Sequence, residues 1–157
     1  VTFCPHCFNT LKDEYPEFGG DFEVQHHTQF LCERKLTPYL STDGTESRKV
    51  VYHDPCYLGR HNGIYHEPRS ILRSRLEVRL QEIKQSGENS FCCGGGGGQS
   101  FMEEHGEKKI NGMRLDQLLE AKPDIIATSC PFCLTMMDDA LKARGLENVE
   151  VKDILEI

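Results

Sequence analysis

The chain has 157 residues, enough to bury one good core, and sets 18 basic against 25 acidic residues for a formal charge of -7. That balance argues against nucleic acid as a partner, since phosphate binding requires clustered positive charge, and no apolar run reaches the roughly 20 residues that span a bilayer. Eight cysteines accompany the composition of an ordinary globular domain, so they read as metal-serving thiols in a reducing, cytoplasmic compartment and not as disulfide staples.

In chain order, the first signal is Cys4-Pro5-His6-Cys7. With its neighbours, residues 2–11, it can be laid over residues 128–137 around Cys130-Pro131-Phe132-Cys133. Each copy is followed, after a similar interval, by a strand-like stretch, 22–25 or 149–152, which makes an internal repeat. With no signal core before Cys4, the sequence from Val1 reads as one piece of a longer protein. Residues 1–31 are taken as the C-terminal remnant of a first module, 32–49 as a linker containing the polar run 41–47, and 50–157 as a complete module.

Within that module, 49–53 reads as a buried strand, and Asp54-Pro55 turns the chain so that Cys56 stands at its carboxyl end. Pro68 opens a short helix with Ile71 and Leu72 inward. The basic stretch Arg69, Arg73, Arg75 and Arg79 reads as a solvated face. Residues 76–81 alternate apolar and polar, as a strand or as a continuation of that helix. Residues 101–120 place Ile110, Met113, Leu115, Leu118 and Leu119 at mostly helical spacing, and 124–128 is a second buried strand after Pro123. Cys130-Pro131 then starts a helix that runs to Ala143 and stops at Gly145. The alternation predicts an α/β fold, a mainly parallel sheet with flanking helices, whose site lies at the carboxyl ends of strands, where Cys56 and Cys130 both fall.

Adjacent cysteines such as Cys92 and Cys93 rarely bridge each other, because the ring they would close is strained far from relaxed disulfide geometry. They read as two thiolates aimed at one inorganic centre. The glycines that follow, Gly94 to Gly98, let the backbone approach closely and donate amides to sulfur. A phosphate-cradle reading lacks the lysine and Ser/Thr of a P-loop. A CxxC that opens a helix sets both sulfurs at the positive end of the peptide dipole, which lowers thiol pKa. Alone, Cys130 and Cys133 fit a redox dithiol, half of a zinc site, or cluster ligands. Together, Cys56, Cys92, Cys93, Cys130 and Cys133 exceed the four ligands of tetrahedral zinc, which favours an iron-sulfur assembly. His53 reads as a hydrogen-bonded strand-end histidine or as a neighbour of the metal ligands. Met136 and Met137 read as core, and Cys32 as a buried or free thiol.

The set Cys56, Cys92-Cys93-Gly94 and Cys130-x-x-Cys133, with residues 53–60 and 90–94 around it, resembles the cysteine-rich CCG domain of heterodisulfide reductase. The same domain occurs in iron-sulfur subunits of glycolate, lactate and anaerobic glycerol-3-phosphate dehydrogenases, and in membrane oxidoreductases linked to electron-transfer flavoprotein. The resemblance covers essentially the whole chain. It implies a non-cubane [4Fe-4S] cluster held by Cys56, Cys92, Cys93, Cys130 and Cys133, with Cys4 and Cys7 as ligands of an incomplete first site. It further implies an electron-transfer domain of a heterodisulfide reductase-related or flavin- or quinone-linked oxidoreductase. Its partners would be other subunits: a flavoprotein, a ferredoxin-like protein or a membrane quinone-reducing domain that could hold it at the cytoplasmic face of the membrane. The alternative is a structural zinc-binding module without redox activity.

Overall fold

Two short runs of β-branched and aromatic residues build the centre of the fold. β1 (Arg48–Tyr52) and β3 (Ile125–Thr128) pair in parallel, with Val51 opposite Ile126. Residues 50–52 and the whole of β3 are buried, as interior strands of a parallel sheet must be. In the computed structural model, which describes residues 1–36, 47–102 and 109–157, β2 (Val78–Gln81) flanks β1 and β4 (Glu150–Asp153) flanks β3. The sheet is all parallel in the order β2-β1-β3-β4. β2 alternates half-buried with exposed residues, as an edge strand does. Residues 78–81 are therefore strand and do not prolong the preceding helix.

Successive side chains of the central strands serve opposite faces. Val51 and Ile126 pack under α4 (Ile110–Leu119) and α5 (Pro131–Ala143), against Leu115, Leu118, Met137 and Leu141. Val50, Tyr52, Ile125 and Ala127 pack on the other face against Ile71 and Leu72 of α3 (His66–Arg73), where Leu31 and Cys32 of α2 (His27–Glu33) also lie. Each fully buried aliphatic side chain contributes roughly 1.5–3 kcal/mol. Helices on both faces of a parallel sheet are the predicted α/β architecture. Among the described residues no helix is long and apolar enough to cross a membrane.

Element ends depart from the predicted ones where local chemistry allows it. α3 begins at His66, two residues before Pro68. A proline in the first turn is tolerated because its missing N–H would have had no intrahelical acceptor. Of 101–120, a single 3-10 turn covers Gln99–Phe101 and α4 starts at Ile110, with 103–108 outside the described residues. Residues 22–25 form no strand. Among the described residues the only pairing there is a parallel bridge between Thr2 and His26, built on Thr2 N to Gln25 O at 3.0 Å and His27 N to Thr2 O at 2.8 Å. Of the linker, 37–46 lie outside the described residues, while α2 continues through Glu33 and β1 opens at Arg48.

The basic stretch is not a solvated face throughout. Arg69 forms a two-pronged pair with Asp54, Nη1 to Oδ1 at 2.6 Å and Nη2 to Oδ2 at 2.9 Å, and reaches Glu82 through Nε at 2.8 Å. Arg75 is buried against Glu77 at 2.7 Å. Arg73 and Arg79 alone are exposed. The acids that pair Arg69 come from β1's exit and from the residue after β2, which charge spacing along α3 does not reveal.

The N-terminal segment meets the sheet at β4, which ends on Asp153 with Oδ1 3.7 Å from Nε2 of the buried His27. Burial pushes the Asp153 carboxyl up to about 6, and burial together with the neighbouring His26 holds His27 down to about 3. At neutral pH the site therefore holds a carboxylate where the protonated form is favoured. A folded-state pKa raised above the unfolded value means that stability is fullest below the unfolded value and is lost as pH rises through about 6. After discounting for partial exposure, Asp153 by itself is expected to withdraw about 1–2 kcal/mol of unfolding free energy over that window, against the stability that the depressed His27 returns as pH rises from about 3. Asp153→Asn keeps the oxygen that accepts from the Leu155 amide and should flatten the loss. Chemical denaturation of both proteins at acid and neutral pH measures the difference.

Candidate metal centre

Chain order places the site. From β1 the chain passes outward to β2 and then back across β1 to β3 and β4, so the direction of winding reverses between β1 and β3. Ligand sites of open parallel sheets form beyond the carboxyl ends of strands at such a reversal. Cys56 follows β1 through Asp54-Pro55, Cys130 follows β3 directly, and Cys92-Cys93 lie on the long connection after β2. Cys130 caps α5 in an extended conformation with Pro131 as the first helical residue.

The predicted residues converge. Sγ of Cys133 lies 3.4 Å from Sγ of Cys93, while Cys56 beside Cys92, and Cys133 beside Cys130, stand close enough to shift each other's ionisation. Cys93, Cys130 and Cys133 are buried, Cys56 and Cys92 half-buried, and all eight cysteines are free thiols. The glycine loop acts as its composition predicts: the Gly94 amide donates to the Cys92 sulfur at 3.3 Å and the Gly95 amide to the Cys93 sulfur at 3.5 Å. Gly94 has φ 88, and a Cβ there would meet Ile110 Cβ at 3.0 Å, so both its backbone angle and its packing call for glycine.

The thiols divide into acceptors and donors. Cys92 is driven strongly down by hydrogen bonds from Cys56 and Cys93, and Cys130 falls to about 5 through the hydrogen bond from Cys133, aided by His6 against the effect of burial. Cys56 and Cys133 are pushed up by donating those bonds and by burial. Cys93 rises to about 11, since the bond with Cys133 lowers it but the bond to Cys92 and burial outweigh that. The helix-opening CxxC was expected to lower both of its thiols. Only Cys130 is lowered, because two thiols sharing a proton cannot both ionise. A metal that binds here displaces the remaining protons.

The first CxxC repeats the second and sits beside it. Cys4 caps α1 (Pro5–Asn9), again extended and again followed by proline. Cys4 is buried and Cys7 exposed. His6, between them, has Nδ1 4.0 Å from Cys4 Sγ and is raised to about 9 by the neighbouring Cys130 and Cys4 sulfurs. Its ring stands 4.1 Å from Tyr57 and, edge-on, 5.1 Å from Phe132. Spacing alone gave no reason to single out His6.

A polar frame fixes the three arms. Asp54, held by Arg69, also accepts from the Gly87 amide at 2.8 Å, and Ser90 Oγ donates to the Asp54 carbonyl at 3.2 Å. Arg60 donates to the Ser90 carbonyl at 2.7 Å. Arg114, wholly buried, donates to His53, Gln85, Gln117 and Ser90. His53 is thus hydrogen-bonded at its strand end, as predicted, and burial plus the nearby guanidinium hold it down to about 3. A ring nitrogen of His53 and the sulfurs of Cys93 and Cys133 all lie within 4.8 Å of one another. Cys32 lies apart, its thiol 3.5 Å from the Glu67 carbonyl.

Five soft thiols in one chain of neighbours, two of them already receiving backbone amides, form a donor set that suits an iron-sulfur core. A tetrahedral metal would use only part of it.

Comparison with known proteins agrees with this chemistry. The profile of a family described as a cysteine-rich domain, CCG, matches residues 50–138. The chain is 41% identical over 165 residues to the EtfAB:quinone oxidoreductase of Syntrophomonas wolfei, covering all of this chain and 23% of that protein. It is 42% identical over 158 residues to a Bacillus subtilis protein described as a probable iron-sulfur-binding oxidoreductase, covering all of this chain and 22% of that one. It is 34% identical over 157 residues to one subunit of the dihydromethanophenazine:CoB–CoM heterodisulfide reductase of Methanosarcina barkeri, covering 98% of this chain and 38% of that polypeptide. The chain thus spans between 22% and 38% of the length of these relatives.

Proposed function

The chain belongs to the cysteine-rich CCG domain family, and from that premise we propose that it is an iron-sulfur electron-transfer domain of a heterodisulfide reductase-related or flavin- or quinone-linked oxidoreductase. The observation that carries the reading is the convergence of Cys56, Cys92, Cys93, Cys130 and Cys133 from three separate stretches, with Cys93 and Cys133 sulfurs 3.4 Å apart. We assign these five as ligands of a non-cubane [4Fe-4S] cluster, which when bound takes up and releases single electrons. The half-buried Cys56 and Cys92 give the centre one edge towards solvent, as relay to a partner requires, and the buried Cys93, Cys130 and Cys133 shield the other.

Residues 50–157 form one complete module in this reading, 32–49 a linker, and 1–31 the end of a preceding module whose Cys4 and Cys7 would serve a further site. The partners are other subunits of the oxidoreductase, carrying flavin, ferredoxin-like clusters or a quinone-reducing membrane domain, with electron transfer on the cytoplasmic side.

Anaerobic purification from a host with cluster-assembly machinery tests this directly. A brown protein with about four irons and as many sulfides per complete module is expected. Stoichiometric zinc without iron, in protein from its native source, would instead establish a structural zinc module.

A further inference from the structure

Arg114 donates from Nε to Nδ1 of His53 at 2.9 Å. A guanidinium has no acceptor to offer and keeps its protons, so Nδ1 must be the accepting nitrogen and bear no hydrogen. The guanidinium cannot turn away, because its other nitrogens donate to the Gln85 carbonyl, Gln117 Oε1 and Ser90 Oγ. A neutral imidazole carries one N–H, and here it falls to Nε2. His53 is 1% exposed and its Nε2 has no hydrogen-bond partner among the described residues. What stands beside the ring is the pair of sulfurs on Cys93 and Cys133.

Those three residues also fit a metal-binding triad by distance alone. Ligation through Nε2 needs that lone pair free while Nδ1 still accepts from Arg114, which would make the ring an imidazolate. Proton counting therefore removes His53 from the ligand set. We propose that His53, locked in one tautomer by Arg114, holds its unpaired Nε2–H ready for the sulfur of a centre bound at Cys93 and Cys133, and that the pair raises the reduction potential of that centre. This rests on the iron-sulfur reading above. Reduction places negative charge on sulfur, and an N–H donor backed by a buried cation stabilises that charge more than the oxidised state. His53 and Arg114 are positioning residues in this scheme and touch no partner molecule.

EPR-monitored redox titration of the anaerobically purified protein, of His53→Leu and of His53→Gln tests the proposal. His53→Leu should shift the midpoint to lower potential at unchanged iron content. His53→Gln, whose amide can accept from Arg114 and donate to sulfur, should recover most of the shift. Because His53→Leu strands a buried guanidinium and can fail to fold, pulsed EPR on wild-type protein grown with 15N-histidine supplies a second readout. A weak nitrogen coupling that is lost in His53→Gln is expected. A strong coupling from directly ligated nitrogen overturns the proposal, as does an unmoved midpoint in His53→Leu with full iron. Wild-type protein that holds no iron and sulfide after reconstitution is the separate failure of the iron-sulfur reading, and this inference falls with it.

Discussion

Replacing Cys93 with alanine is expected to strip the protein of iron and acid-labile sulfide, a loss of more than roughly tenfold, while leaving the metal-free fold in place. Cys93 is the thiol that joins the two halves of the site: its neighbour Cys92 contacts Cys56, and its own sulfur lies 3.4 Å from Cys133, which contacts Cys130. Without it, two separate pairs remain, neither with enough ligands for a multi-iron core. The side chain lost is small, so truncation removes only about 1 kcal/mol of packing. Cys32→Ser is the control, since Cys32 packs between α2 and α3 with its thiol against the Glu67 carbonyl, and it should keep full iron. Iron and sulfide assays beside urea denaturation of the metal-free proteins separate loss of the centre from loss of the fold. Full iron in Cys93→Ala would place the cluster elsewhere.

Why the convergence of these cysteines could be read so far from sequence follows from how they are delivered. Ile125 to Ala127 form a continuous apolar run because β3 is an interior strand, and Pro131 marks the helix start that turns Cys130 and Cys133 inward. Asp54-Pro55 does the same for Cys56 after β1. Such signals are local and act over a few residues. What could not be read depends on partners distant along the chain. Arg69 and Arg75 resemble a solvated stripe until Asp54 and Glu82 meet the first and Glu77 folds back on the second. Residues 22–25 have strand-like composition, yet a strand exists only where a neighbour completes its ladder, and among the described residues one bridge between Thr2 and the adjoining His26 is all that forms. Arg114 left a faint trace: with Asn111, Leu115 and Leu118 it falls on the buried side of α4, where a charge needs explaining.

The internal repeat acquires a spatial meaning. His6 and Phe132 occupy the same position of their respective CxxC motifs, and their rings touch edge-on at 5.1 Å. Cys4 and Cys130 are both helix caps followed by proline, and both are joined to His6. The first CxxC thus stands against the second through His6, which lies between Cys4 and Cys130. A sequence alignment of the two copies establishes their likeness but carries no information on which faces meet.

Arg114→Met should lower the unfolding free energy by about 2–4 kcal/mol, a large share of the roughly 5–15 kcal/mol that a domain holds in total. Two effects oppose each other. Removing the guanidinium relieves the desolvation that already pulls Arg114 down to about 10. It also abandons His53 Nδ1, the Gln85 carbonyl, Gln117 Oε1 and Ser90 Oγ, the acceptors of its hydrogen bonds. Each buried acceptor left without a donor costs about 1–3 kcal/mol. Gln117 and the Gln85 carbonyl are within reach of water, whereas His53 and Ser90 are buried, so two full penalties outweigh the relief. Methionine fills most of the volume, which keeps cavity formation from dominating the result. Anaerobic denaturant titration measures the change, with a constant slope showing that the unfolding transition itself is unaltered. A loss below about 1 kcal/mol would mean that the acceptors find new donors without Arg114, and that the frame around His53 does not depend on it.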